Sequence, residues 1–251
     1  MSSTIWTRCA GDSELRALRL RPWRVVEAQH QLSTRKLVDS AEEQILLEQL
    51  LERSKPPAVG PARLHYLLAT PFRYPPLRHG SRFGSRHEPS LWYGSETRRT
   101  AFAEVAYYRL LFLAGTRARI APLTTQHTAF TVLAASKRGI DLTRQPFLGH
   151  RKTIASPVDY AAAQSLGSAM RAAGVELFRY PSARDSEGGV NVGAFVPSVF
   201  GSARPRELET WHSFATDERV ELTKRDYFAR NAFVFNRSEF LVNGRLPSPA
   251  A

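Results

Sequence analysis

From Pro61 onward the chain is a series of short runs rich in β-branched and aromatic residues: RLHYLLATPFRY, SLWYG, TAFTVLAAS, VELFRY, VNVGAFVP, ETWHSFAT and RVELTKR. Runs of this texture, separated by turn residues, predict strands. Two segments break the series. One follows Ser95, which with Glu96 beside it suits the positive end of a helix, and it runs to about Leu113 before Gly115. The other starts at Ser156, with Pro157 in the first helical position and Asp159 three residues after the cap, and ends near Gly174. Strands in excess with helices inserted among them predict an α+β fold rather than an alternating parallel βαβ array.

The first sixty residues differ in texture. Leu37, Ala41, Ile45, Leu47, Leu50 and Leu51 recur within a segment that stops at Lys55-Pro56-Pro57, and Ser40 and Glu43 have the spacing of a capping box. The expectation is a helical N-terminal extension over residues 1–60 and a main domain over 61–251. The apolar arc of that helix is wider than one exposed face requires, so it should pack on the main domain or meet a partner, packing being the simpler outcome. Only the Ser/Pro/Ala tail after Arg245 reads as loose.

Composition excludes several function classes. No run approaches the ~18 consecutive apolar residues of a membrane span, and the N-terminus MSSTIWTRCAGDSELRALRLRPW lacks the apolar block of a signal peptide, so a cytoplasmic protein is expected. Cys9 is the single cysteine, and the seven histidines are scattered with no pair at helical ligand spacing; neither a disulfide nor a metal site is predicted. Lys+Arg 35 against Asp+Glu 23 leaves a net charge of +12, which favours a polyanionic partner. That charge is spread out and accompanies no nucleic-acid motif. Anionic small ligands and acidic proteins therefore fit as well as RNA or DNA.

Arg82, Tyr93 and Glu104 fall at equal steps of eleven residues in RFGSRHEPSLWYGSETRRTAFAEV. On the helix after Ser95, the residues Ala101, Phe102, Val105, Tyr108 and Phe112 share a face at ~100° per residue, which should be buried. Glu104 then sits roughly 70° from its centre, at the core boundary, where its carboxylate can look into a cleft. A guanidinium matches phosphate oxygens, a tyrosine ring offers a face to a heteroaromatic ring, and a carboxylate stabilises positive charge developing on a sugar carbon. Together they suit a nucleotide that carries a diphosphate and a cationic leaving base. A plainer reading stands beside this: Arg82 as one solvated arginine among many, Tyr93 as a core residue, and Glu104 as a surface acid paired with Tyr108 or Arg109.

Three blocks of the sequence resemble the RES family, toxins of bacterial toxin-antitoxin pairs. They are Gly80-Ser81-Arg82-Phe83, Leu91-Trp92-Tyr93-Gly94 and Thr100-Ala101-Phe102-Ala103-Glu104-Val105, and the later stretch RYPSARDSEGGVNVGAF, from Arg179 to Phe195, is similar to the family's second signature. Ser81 stands where the family has its second glycine, and GSRHEPS replaces an Asn-Pro-rich loop. Arg78 and Arg86 compete for the arginine role, but only Arg82 precedes the aromatic in the matching block. The resemblance implies an ADP-ribosyltransferase-like fold with a mixed, mostly antiparallel core, in which NAD is a substrate rather than a cofactor. In it, Arg82 would hold the diphosphate, Tyr93 would orient the nicotinamide ribose, Glu104 would stabilise the oxocarbenium-like transition state, and Ser182 and Asn191 would contact substrate. Ser182 also reads as a turn-capping serine before Asp185. The acceptor stays open among water, phosphate and a protein side chain, the last making the protein an ADP-ribosyltransferase of proteins. A helix-turn-helix antitoxin of the Xre class is the implied partner, a homodimer is a further expectation, and the alternative of another class is an inactive basic nucleic-acid-binding module.

Overall fold

The computed structural model describes residues 4–28, 37–57, 60–61, 63–118, 120, 122–226 and 231–248. Its strands are β1 (Arg16–Leu20), β2 (Trp23–Glu27), β3 (Trp92–Ser95), β4 (Leu123–Thr131), β5 (Ala134–Asp141), β6 (Leu177–Pro181), β7 (Val190–Ala194), β8 (Arg206–Ala215), β9 (Arg219–Lys224) and β10 (Ala232–Asn236). The helices are α1 (Ile5–Arg8), α2 (Ala41–Ser54), α3 (Tyr66–Arg73), α4 (Arg98–Gly115), α5 (Arg151–Ile154) and α6 (Ala161–Ala172). The strands form a ten-stranded sheet in the order β1-β5-β6-β7-β3-β2-β4-β8-β9-β10, antiparallel except between β5 and β6. The expected α+β class, with a mostly antiparallel core and inserted helices, is the one observed. Among the described residues no helix is long and apolar enough to cross a membrane.

This sheet is two halves meeting at a seam. Between β3 and β2 the ladder has one pair, Trp23 opposite Ser95, whereas β3 pairs with β7 along its whole length and β2 pairs with β4 along all of its own. A second connection is covalent. β1 runs on into β2 through Arg21-Pro22, and β4 into β5 through Val132-Leu133, so one bent antiparallel ribbon contributes to both halves. The Val132 amide donates to the Pro22 carbonyl at the bend, 3.3 Å.

Residues 16–27 are therefore woven into the sheet, and β1 and β2 are not part of a helical extension. The expected helix is present as α2, capped by Ser40, whose Oγ accepts from the Glu43 amide at 3.1 Å. It buries none of its residues; Ile45, Leu46, Leu50 and Leu51 are all exposed, contrary to the expectation that it packs on the main domain.

Three apolar clusters hold the layers together. One joins α6 to the first half through Phe83, Leu166, Met170 and Phe178, and another joins α4 to the second half through Phe102, Leu110, Trp211 and Leu222. A third packs Leu67, Leu68 and Phe72 of α3 on Trp92, Phe130 and Val192. Each fully buried large side chain of this kind contributes about 1.5–3 kcal/mol. RLHYLLATPFRY reads as a strand by composition, yet Leu68 and Phe72 are a helical turn apart and face the same core, so the segment folds as α3. TAFTVLAAS is not one strand; it straddles the crossing from β4 to β5.

Candidate active site

The elements around the seam place the five predicted site residues. Ser95 was expected to cap α4, but it stays in β3 and donates to Asn191 Oδ1 at 2.6 Å; Thr97 caps the helix instead, accepting from the Thr100 amide at 3.1 Å. The buried face of α4 consequently runs through Phe102, Ala103, Ala106, Tyr107, Leu110 and Leu113. Val105 is only partly buried, and Tyr108 and Phe112 are about half exposed, a correction to the expected face: they belong to the wall of a cleft.

Arg82 reaches the cleft from the loop between α3 and β3. Helix α6 positions that loop by two contacts. Gln164 Nε2 donates to the carbonyls of His79 and Ser81, each at 3.1 Å. At Gly167 the backbone of Phe83 comes so near that a Cβ would stand 2.1 Å from the Phe83 carbonyl oxygen. α6 starts later than expected, because Ser156 caps a turn instead, its Oγ accepting from the amides of Val158 and Asp159. Arg82 is 8% exposed; its Nη1 donates to the carbonyls of Ile154 (3.3 Å) and Ser156 (2.8 Å), and its guanidinium lies 4.4 Å from the Tyr160 ring centroid. Among the described residues no carboxylate pairs with it. Arg78 and Arg86 are exposed and lie outside the cleft lining.

Glu104 is the end point of a hydrogen-bond chain. Its Oε1 accepts from Asn191 Nδ2 at 2.6 Å and from Ser182 Oγ at 2.9 Å. Asn191 is oriented by the bond that its other side-chain atom accepts from Ser95. Ser182 is held in turn by the amides of Arg184 and Asp185, both 3.1 Å from its Oγ. The turn-capping role read from sequence and the contact with the site are thus two functions of one hydroxyl. Glu104 Oε2 makes no hydrogen bond among the described residues, and Arg109 pairs with Glu27 at 2.6 Å rather than with Glu104. The result is a carboxylate fixed through one oxygen with the other left available.

Tyr93 contributes its ring to the cleft while its hydroxyl is tied to the loop of Arg82. The hydroxyl accepts from the Phe83 amide at 3.0 Å and bonds Ser81 Oγ at 2.9 Å. Burial pushes its pKa up to about 12, which keeps the phenol neutral. The serine that replaces the family's second glycine is therefore part of the site's frame.

Arg82, Tyr93, Glu104 and Asn191 all line one cleft of about 730 Å³, within the size range of small-molecule sites. Ser182 lies behind Glu104, outside that lining. Tyr108, Tyr160 and Tyr180 add aromatic wall, and Arg24, Arg109 and His127 line the cleft as well. Sequence reasoning missed these residues. The one available signal was Arg24, a cation inside the otherwise apolar run WRVV.

Chemically, the cleft combines Arg24 and Arg82, neither with a carboxylate partner among the described residues, aromatic faces, the carboxylate of Glu104 and that of Glu27, which Arg109 neutralises at 2.6 Å. Ser182 Oγ donates to Glu104 and accepts from the amides of Arg184 and Asp185, and it is not among the residues that line the cleft, so it positions Glu104. A family model described as RES domain matches residues 55–216, more than half of the chain. No curated protein matches it.

Proposed function

The chain belongs to the RES domain family, and from that premise we propose that its cleft binds NAD and breaks the bond between nicotinamide and ribose. The observation that carries the reading is Glu104, held by Ser182 and Asn191 through one oxygen and open to the cleft through the other. As the C–N bond lengthens, its electron pair moves to the nicotinamide ring and discharges the pyridinium. Positive charge grows on the ribose carbon and ring oxygen, where a preoriented carboxylate is most effective. Arg82 meets the diphosphate, Tyr93 and its neighbouring tyrosines face the nicotinamide riboside, and Asn191 and Ser182 keep Glu104 aimed. Water then gives ADP-ribose, or inorganic phosphate gives ADP-ribose 1″-phosphate, with the acceptor's proton lost to solvent. We favour these acceptors over a protein side chain.

A mixed, mostly antiparallel sheet with its cleft at a seam supports the ADP-ribosyltransferase-like fold that the resemblance implies. In the cell the activity would deplete NAD, as the toxin half of a toxin-antitoxin pair restrained by a helix-turn-helix antitoxin of the Xre class. The test is incubation of the purified protein with NAD, with and without phosphate, following nicotinamide and the ribosyl product by mass-resolved chromatography. Nicotinamide release supports the reading and the product mass identifies the acceptor. Absence of release under both conditions would move the weight to modification of a protein side chain or to a binding module.

A further inference from the structure

Half of the large apolar side chains exposed among the described residues lie in residues 37–77, and four of them, Ile45, Leu46, Leu50 and Leu51, stand on α2. Exposed apolar groups concentrated in one place mark a contact surface. The helix is anchored to the body: near its C-terminal end Glu52 pairs with Arg73 of α3 at 2.8 Å, and Arg73 Nε donates to the Pro56 carbonyl. α2 also runs against the charge of the molecule. It carries Glu42, Glu43, Glu48 and Glu52 against Arg53 alone, in a chain of net charge +12.

At ~100° per residue, Glu43, Leu46, Leu50 and Arg53 lie within one arc of about 80°. Their positions follow the a-d-a-d seam of a coiled coil, with leucines in the centre and opposite charges at the two ends. Leu46 and Leu50 are 55% and 52% exposed, and Arg53 has no ion-pair partner among the described residues, the neighbouring pairs being those of Glu52 with Lys55 and Arg73. Such a seam is self-complementary in one arrangement. Where a second helix of the same sequence runs antiparallel to it about a central two-fold axis, Leu46 meets Leu50 and Glu43 meets Arg53, each contact occurring twice. A parallel pair would instead set Glu43 on Glu43 and Arg53 on Arg53.

We propose that α2 is a dimerisation helix and that what covers it is the antiparallel α2 of a second copy of this chain, with Leu46 and Leu50 in the shared seam and Glu43 paired with Arg53 of the other copy at both ends. A two-fold contact of this kind closes on itself and stops at the dimer. The helix is only about 21 Å long, so the interface is at the small end of specific contacts and the dimer forms at roughly tens of micromolar. None of these residues lines the cleft, and the proposal stands independently of the NAD reading. Sedimentation velocity on the full chain, from about 2 to about 200 µM, tests it. Wild type should pass from monomer to dimer across that range, and Leu46→Glu with Leu50→Glu should stay monomeric with an unchanged circular dichroism spectrum. Glu43→Lys and Arg53→Glu, each alone, set like charges together at both ends and should weaken the dimer about tenfold. Glu43→Lys also gives up the bond from the Asp39 amide, so circular dichroism checks its helix. An equimolar mixture of the two variants brings opposite charges back together at both ends and should associate as wild type does. Wild type that remains monomeric at the highest concentration would overturn the proposal, as would a dimer that survives the double leucine substitution. A mixture that associates no better than either variant alone would overturn the antiparallel pairing.

Discussion

Replacing Glu104 by glutamine changes the charge of the site and little of its geometry. The amide oxygen can still accept from Asn191 Nδ2 and Ser182 Oγ, the two bonds that Oε1 receives. Under the proposed mechanism Glu104→Gln should lower kcat for nicotinamide release by roughly 10²–10³, the scale of removing one group that stabilises transition-state charge, with the melting temperature unchanged. A variant with wild-type turnover would remove Glu104 from the chemistry. Alanine is the poorer test, since it leaves the Asn191 and Ser182 donors unpartnered at about 1–3 kcal/mol each. Ser182→Ala should act through Glu104: kcat falls with KM little changed, because Ser182 does not line the cleft. Much of this site was legible. Arg82, Tyr93, Glu104 and Asn191 share the cleft, as their motif blocks suggested. Tyr160 was not, because it enters the site by packing between distant elements, which no local pattern in the sequence records, and Arg24 left only the trace of a cation inside the apolar run WRVV.

The seam between β2 and β3 depends on how closely two strands approach. A Cβ at Gly94 would lie 2.7 Å from the Trp23 carbonyl oxygen and 2.4 Å from the Trp92 ring. Gly94→Ala therefore has to push the half-sheets apart or displace a buried tryptophan, and overpacking of this kind costs about 1–3 kcal/mol. The expected result is a lower urea midpoint together with weaker NAD cleavage, since Tyr93 and Ser95 flank the glycine; an unchanged midpoint would show that the seam is soft. Strand composition located β3, β6, β7, β8 and β9. It failed for α3, where the spacing of Leu68 and Phe72 overrode β-rich composition, and it did not reveal β10 (AFVFN), a short run next to β9. The helix starts moved for a common reason. Ser95 and Ser156 are plausible caps by type, but their hydroxyls serve Asn191 and the turn at 158–159, and the helices begin where the next side chain or turn allows.

At the level of the whole molecule, the ribbon of β1-β2 with β4-β5 makes residues 16–27 indispensable, although α2 buries nothing. Deletion up to Pro61 should give unfolded, aggregating protein, whereas Leu46→Glu with Leu50→Glu on exposed α2 should shift stability by no more than about 0.5 kcal/mol per site; calorimetry and circular dichroism compare them. The same ribbon carries the strongest pH signal. His127 on β4 lies opposite Glu27 and is 1% exposed, with Thr125 Oγ1 at 3.0 Å from its Nε2 and no partner for its Nδ1. Burial first, and then the positive charge of Arg109, push its pKa from 6.5 down to about 4, while Glu27 opposes the shift. The native imidazole is neutral, and the unfolded chain takes up a proton below pH about 6.5. Unfolding then binds more protons than folding in the window from about 6.5 to about 4, so this residue's contribution to stability falls as pH falls and levels off once the native imidazole also protonates. Between pH 7 and 5 the linked loss is about 2 kcal/mol. His127→Gln should be less stable than wild type at pH 7, through lost packing, and its urea midpoint should lose less on acidification. Parallel midpoints for the two proteins from pH 7 to 5 would mean that His127 protonates alike in the folded and unfolded chains.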